Sequence, residues 1–241
     1  AVLAVLAGVA WLLVGGGRYG GGVLGWAGDP AIVDLRLVAM GAAGVVGASL
    51  GLAGAQLQAL LRNPLASPDL LGMSAGAGLA ILLAALASGG SWAAPAAPAT
   101  VGALGTLAVV YVVAQRRAMI EPVSLVLVGV IVAVMLGACT LGVQSLMPRE
   151  TAYAAGRWML GGISPDVRWW EVWGAAGVLA AGLGLSVWRG RLVDAAAFGD
   201  DEAHGLGVPL GRLRVELFIS SGVLTAACVV LAGPVGFVGL V

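Results

Sequence analysis

Long apolar runs alternate with short polar stretches along the whole chain. The runs cover residues 1–14, 37–61, 70–87, 93–114, 123–147, 170–188 and 215–241. A helix crossing the ~30 Å hydrocarbon core of a bilayer needs ~20 mostly apolar residues, and most of these runs reach that length. Charged residues fall between the runs or at their edges, as the cost of burying charge in lipid demands. Strands do not fit, because the runs are too long and show no period-two alternation. The pattern predicts an all-α fold, a polytopic transmembrane helical bundle. The short run 1–14 lacks a basic n-region and does not read as a secretory signal; it is expected to be the remainder of a first membrane helix.

Composition sharpens this picture. Of 241 residues, 60% are hydrophobic and 10% are charged, with a mean hydropathy of +1.03. A soluble domain carries about 25% charged residues, so a polar shell cannot be built. The formal net charge of zero gives no electrostatic case for nucleic acid. The twelve basic residues are all Arg. Gly44, Gly47, Gly51 and Gly54 recur at three- and four-residue spacing, which should set the second run deep in a bundle. Trp92, Trp158, Trp169, Trp170, Trp173 and Trp188 lie near run ends, as interfacial anchors do. Cys139 and Cys228 read as small buried hydrophobes, and with a single His they make no metal-site spacing. The loops after even-numbered runs hold the larger share of Arg, which assigns them to the cytoplasm.

Two motifs lead nowhere, and a third is missing. Gly15-Gly16-Gly17-Arg18-Tyr19-Gly20 matches G-x-G-x-x-G, but a dinucleotide site needs that pattern between a strand and a helix. Gly47-Ala48-Ser49-Leu50-Gly51 matches a nucleophile elbow, but His204, the lone His, lies far along the chain. Those five residues read instead as a small-residue helix-packing motif. Without Lys there is no ordinary Walker A loop, so ATP-driven work would need a separate ATPase subunit.

Two stretches carry more. Between Gln56 and Ala77 the chain reads as a helix end, a break and a helix start, through Gln58, Arg62-Asn63-Pro64-Leu65-Ala66-Ser67-Pro68-Asp69 and Gly72-Met73-Ser74. Asn63-Pro64 should stop the first helix. Ser67 should cap the next, with Pro68 at its first position and Asp69 in its first turn. A break at membrane depth is tolerated only against protein or a water-filled cavity, which favours a place on a pathway. Residues 190–214 are the longest and most charged stretch between runs. They should form two short helices, broken at Gly205 and Gly207, with Pro209 opening the second. Such a knob suits docking to a soluble subunit.

The 56–77 stretch resembles the signature of the iron–siderophore, haem and cobalamin permeases of ABC importers, the FecCD type. Residues 194–214 resemble that family's cytoplasmic coupling loop, and Gly233-Pro234-Val235-Gly236-Phe237-Val238-Gly239-Leu240 resembles its Gly-Pro-Ile-Gly-Phe-Val-Gly-Leu turn. Val128-Gly129-Val130 and Trp158-Met159-Leu160-Gly161-Gly162 agree more weakly. The resemblance implies an ABC type II importer permease in the bacterial inner membrane, with a ten-helix family fold of which about seven helices are covered here. It implies a single transmembrane permease domain over 1–241, incomplete at its C-terminus. It implies a homodimer with a second permease copy, two ATP-binding subunits holding ATP and Mg, and a periplasmic or lipid-anchored substrate-binding protein. No cofactor or metal is expected on this chain. Gln58, Asn63, Pro64, Leu65, Ala66, Pro68, Gly72 and Ser74 match the family's cytoplasmic gate and pathway. Gly199, Asp201, Glu202, Ala203, Leu206 and Gly207 match its ATPase-coupling positions. Arg36 matches an external Arg that docks the binding protein, although Val38 and Ala39 stand where the family has Pro and a second Arg.

The expected mechanism is alternating access, with ATPase subunits moving the 194–214 knob and the knob moving the 63–68 break. Ser49, Gln56, Gln58, Thr140, Gln144, Ser220 and Thr225 are the polar residues available within the runs, all neutral. The alternative is an ATP-independent secondary transporter or channel, which would want ionisable residues inside the runs. An intramembrane enzyme would want a Ser/His, paired Asp or H-E-x-x-H set there.

Overall fold

The computed structural model describes residues 30–89, 96–116, 119–120, 122–163, 166–236 and 238–240. Its helices are α1 (Pro30–Leu61), α2 (Met73–Ala87), α3 (Ala96–Ala114), α4 (Pro122–Ser145), α5 (Arg149–Met159), α6 (Trp169–Phe198), α7 (Asp200–Gly205) and α8 (Leu210–Ala232). A 3-10 turn spans Val238–Leu240. Between α3 and α4, β1 (Gln115–Arg116) pairs with β2 (Met119–Ile120) in a two-residue antiparallel ladder, Gln115 facing Ile120 and Arg116 facing Met119. Five helices are long and apolar enough to cross a membrane: α1, α3, α4, α6 and α8. The predicted runs 1–14 and the motif at 15–20 lie outside the described residues, as does Trp92.

α8 is the central helix. It packs on α1, α3 and α6 and buries one side chain after another, including Leu213, Leu217, Leu224 and Val229. Leu57 and Leu61 of α1, Met73 and Ala77 of α2 and Val110 of α3 join the same core. Tyr111 meets Phe218 edge to face, with ring centroids 5.8 Å apart, a favoured aromatic geometry. α2 and α3 cross at glycine. A Cβ on Gly76 would overlap the Thr106 hydroxyl, and one on Gly102 would overlap the Gly76 carbonyl. Lipid offers no hydrophobic drive between helices, so such backbone-to-backbone contact is what holds the pair.

Several expectations are corrected. Of the glycine stripe on α1, only Gly54 meets the rest of the protein closely; nothing lies within 4 Å of a Cβ built on Gly44, Gly47 or Gly51. The Gly47–Gly51 motif packs instead through Ser49 and Leu50, both buried, with Leu50 clustered against Ala175 of α6 and Cys228 and Leu231 of α8. Cys139 is exposed on α4, whereas Cys228 is buried. Trp158 is half-buried against the core rather than anchored at an interface; Trp170 and Trp173 are exposed at the start of α6, and Trp188 is exposed ten residues before its end. The run 170–188 belongs to a 30-residue helix. At ~1.5 Å per residue that is ~45 Å, longer than the hydrocarbon core.

Candidate functional site

α1 ends at Leu61 because Arg62 takes a left-handed conformation, φ 48. The Asn63 N–H then donates to the Gln58 carbonyl at 3.2 Å, closing a Schellman-type end. A non-glycine residue there costs about 1–2 kcal/mol. The Asn63 side chain accepts the Leu65 N–H at 2.9 Å, and the Ala66 N–H donates to the Asn63 carbonyl at 3.0 Å. The helix thus stops one residue before Asn63-Pro64, and Pro64 belongs to the turn. Ser67 does cap, its hydroxyl accepting the Leu70 N–H at 3.3 Å. The cap closes an irregular turn, however. Gly72 is left-handed, φ 74, and α2 begins only at Met73. Pro68 and Asp69 consequently precede the helix instead of opening it.

This break climbs inside the bundle. A Cβ on Gly129 would lie 2.6 Å from the Leu70 carbonyl, and one on Gly72 would lie 3.3 Å from the Ala133 N. Those α4 positions are about 10 and 16 Å along their helix. Two other irregular stretches meet the break at depth. α5 descends beside α2, with Ala155 packed among Leu82 and Ala85 and with Trp158 beside Gly78. Beyond it, Gly161 (φ 73) fits against the Pro234 carbonyl, and the Gly162 N–H donates to the Ala232 carbonyl at 2.7 Å. After α8, the chain turns at Gly233 (φ 69), where a Cβ would overlap the Trp158 carbonyl. It then doubles back past Gly78 and Asp69 to place Gly239 against Gly54 and Pro68. The Gln58 amide donates to the Gly239 carbonyl at 3.2 Å. Three broken segments therefore share one interior junction, where irregular backbone is covered by protein.

Asp69 sits at that junction, its carboxylate close over Gly236. A side-chain hydrogen bond links that carboxylate to Ser74, at the start of α2.

At the Arg62 end of the bundle, α6 runs on to Phe198 and α7 follows after Gly199. The Asp200 carboxylate accepts from Arg62 at 2.6 Å and from Arg214 at 2.9 and 3.0 Å. Glu216 accepts from Arg189 at 2.7 and 2.8 Å and from Arg212 at 2.8 Å. Ala203 of α7 and Val208 just after it are buried, while Leu206 is 68% exposed at the tip. Elsewhere, mostly apolar grooves of about 400 and 410 Å³ run along α6 and α8, away from the junction. The Gln56 amide is buried between Ser186 and Ser220, at 2.8 and 3.1 Å, as a polar tie among α1, α6 and α8.

The model of the FecCD transport family matches residues 23–241. The chain belongs to the FecCD transport family. Among similar FecCD-type proteins, the Fe(3+)-citrate import system permease protein YfmD of Bacillus subtilis is 35% identical over 81% of this chain and 57% of its own length. The ferric enterobactin transport system permease protein FepG of Escherichia coli is 36% identical over 87% of this chain and 63% of its own. The vitamin B12 import system permease protein BtuC of Serratia proteamaculans is 36% identical over 90% of this chain and 65% of its own. The chain spans less than two thirds of the length of these curated relatives. A solved structure of a transporter assigned to the metal-chelate ABC type, in an inward-facing conformation, superposes with a TM-score of 0.80 at 26% identity. It covers 99% of this chain and 75% of the other. FecCD membership and the spanning helices make this a membrane protein of a transport permease family, helical among the described residues apart from the two-residue ladder.

Within this FecCD chain the expected gate residues do come together. Asn63, Pro64 and Leu65 form an exposed turn at the Arg62 end, and Leu65 is 65% exposed. Ala66, Pro68, Gly72 and Ser74 are buried along the break, and Gln58 ties it to Gly239. Gly199, Asp201, Glu202, Ala203, Leu206 and Gly207 lie on or beside α7 at the same end. The second short helix expected after Pro209 is instead the start of α8, which runs unbroken to Ala232, and residues 190–198 are the tail of α6. His204 is exposed, with its ring Nδ1 3.1 Å from the Asp200 carbonyl. Arg36 lies in α1 at the opposite end, where Asp34 accepts the Trp169 indole N–H at 3.0 Å. Sequence reasoning missed Arg62, Asp200 and Arg214 as a set, since nothing in local spacing joins positions so far apart.

Proposed function

We propose that this chain is the transmembrane permease subunit of an ATP-binding-cassette importer in the bacterial inner membrane. It carries an iron–siderophore, haem or cobalamin-type chelate, and a separate subunit hydrolyses the ATP. The observation that carries this reading is the broken segment at 62–72, set at depth against two other irregular segments while its lower end meets α7. Discontinuous backbone at the middle of a bundle is where transporters bind and gate, and α7 presents an apolar tip to a soluble partner. The printed names of the relatives, import permeases for iron chelates and vitamin B12, support the cargo class. The inferred assembly is a homodimer above two ATP-binding subunits, with a substrate-binding protein docked at the Arg36 end.

The ATP-independent alternative would draw on Asp69 as an ionisable group at depth. One experiment separates the two. The full-length permease, reconstituted in lipid with a candidate ATPase subunit, is expected to hydrolyse ATP faster when chelate-loaded binding protein is added. Uptake into vesicles that proceeds without ATP and follows a proton gradient would overturn the importer reading.

A further inference from the structure

We infer that Asp200 is a tether that makes the end of α1 move with α7, and so links the docking tip to the gate turn. The inference rests on the importer reading for its purpose, though not for its geometry. Asp200 is the first residue of α7, and its carboxylate is shared by Arg62 at 2.6 Å and Arg214 at 2.9 Å. Arg214 is held on α8, with its side chain only 18% exposed; Arg62 is 38% exposed. The two arms therefore differ in character. The Arg214 arm fixes α7 to the bundle, and the Arg62 arm reaches across to the residue that ends α1.

Arg62 is also the hinge of the break. It adopts the left-handed conformation that stops α1 and feeds Asn63, Pro64 and Leu65. A non-glycine residue holds such a conformation when its surroundings over-determine it; here the Asn63 N–H bond to the Gln58 carbonyl closes the backbone turn and Asp200 holds the Arg62 side chain. Two guanidiniums on one carboxylate leave the cluster with a surplus positive charge. Neutralising Asp200 leaves like charges facing each other, and the more exposed Arg62 is the one free to swing into water. The gate turn would then lose its connection to α7, while Leu206 and the buried Ala203 keep their places. Asp200 is a positioning residue in this scheme, since it acts through Arg62 and touches no cargo.

The test uses the full-length permease with its ATPase subunit and binding protein in lipid. Asp200→Asn and Arg62→Gln are each expected to leave complex assembly and ATP hydrolysis near the parent level while cutting chelate transported per ATP about tenfold, a typical coupling factor. The double variant should be no worse than either single one, because both remove the same link. Asp200→Glu should restore most of the coupling. Loss of assembly, a proportional fall of hydrolysis and transport, or unaltered transport would each overturn the tether. A second readout does not depend on the energy source. Hydrogen exchange at residues 62–66 should quicken in Asp200→Asn, and unchanged exchange there would also overturn the inference. A parent protein that shows no ATP-dependent uptake would sink the importer reading instead, leaving the exchange result to decide the tether.

Discussion

Leu206→Arg is expected, on the importer reading, to abolish transport while leaving the protein folded. Leu206 closes α7 and is exposed, whereas its neighbours Ala203 and Val208 are buried and hold the knob in shape. A large apolar side chain at the tip of a rigid knob is the kind of anchor a partner subunit buries. Losing such an anchor costs about 2 kcal/mol or more of binding, roughly a 30-fold weaker complex. An arginine adds the cost of desolvating a charge. The permease alone should melt within about 0.5 kcal/mol of the parent, as exposed substitutions do. Co-purification of the ATPase subunit and chelate uptake are the measurements. Glu202→Ala should act in the same direction more weakly, since that carboxylate folds back over Gly199 beside the same tip. A Leu206→Arg permease that retains its ATPase subunit and its uptake would refute docking at this knob.

The second large effect concerns stability. A Cβ at Gly54 would overlap the carbonyl oxygen of Gly239, and both sides of that contact are backbone. Neither can rotate away, so Gly54→Ala must push the returning segment off α1 and strain the Gln58 bond to the same carbonyl. The expected loss is about 3 kcal/mol, the upper end for overpacking. For a chain of this size that corresponds to a fall of roughly 6–12 °C in melting temperature. Gly44→Ala is the matched control. It sits on the same helix with open space around it, and replacing a helical glycine there should gain up to about 1 kcal/mol. If the two variants melted alike, the segment 238–240 would not lie against α1.

That pair also shows what could be read from the chain and what could not. The spacing of Gly44, Gly47, Gly51 and Gly54 announces a packing face, yet only Gly54 is used, because a one-dimensional spacing names a face without naming what covers it. The membrane helices were legible from hydropathy, since lipid punishes charge over some 30 Å of depth. Helix ends were less so: α6 runs on through its charged tail to Phe198, because a helix leaving the bilayer loses the apolar signal without losing its hydrogen bonds. Ser67 is legible as a cap, but the turn it closes is interrupted by left-handed Gly72, where α3 and α4 both approach the backbone closely. The gate and coupling roles rest on motif resemblance; the structure places those residues along the 62–74 break and on or beside α7. The Arg62–Asp200–Arg214 set needed three dimensions, because its members meet only once α1, α7 and α8 have packed.

The brevity of α2 bears on how the protein enters the membrane in the first place. Fifteen residues make ~22 Å of helix, too little to span a ~30 Å hydrocarbon layer unaided. The 62–72 stretch that completes the crossing leaves backbone polar groups that lipid cannot satisfy. As a nascent segment it is therefore a poor candidate for independent release into the bilayer. Its cover comes from α4, made later, and from the return past Gly233, made later still. Residues 62–72 therefore gain their full protein cover only once the end of α8 has emerged. Damage near Pro234 should accordingly surface as failed insertion of residues translated long before it.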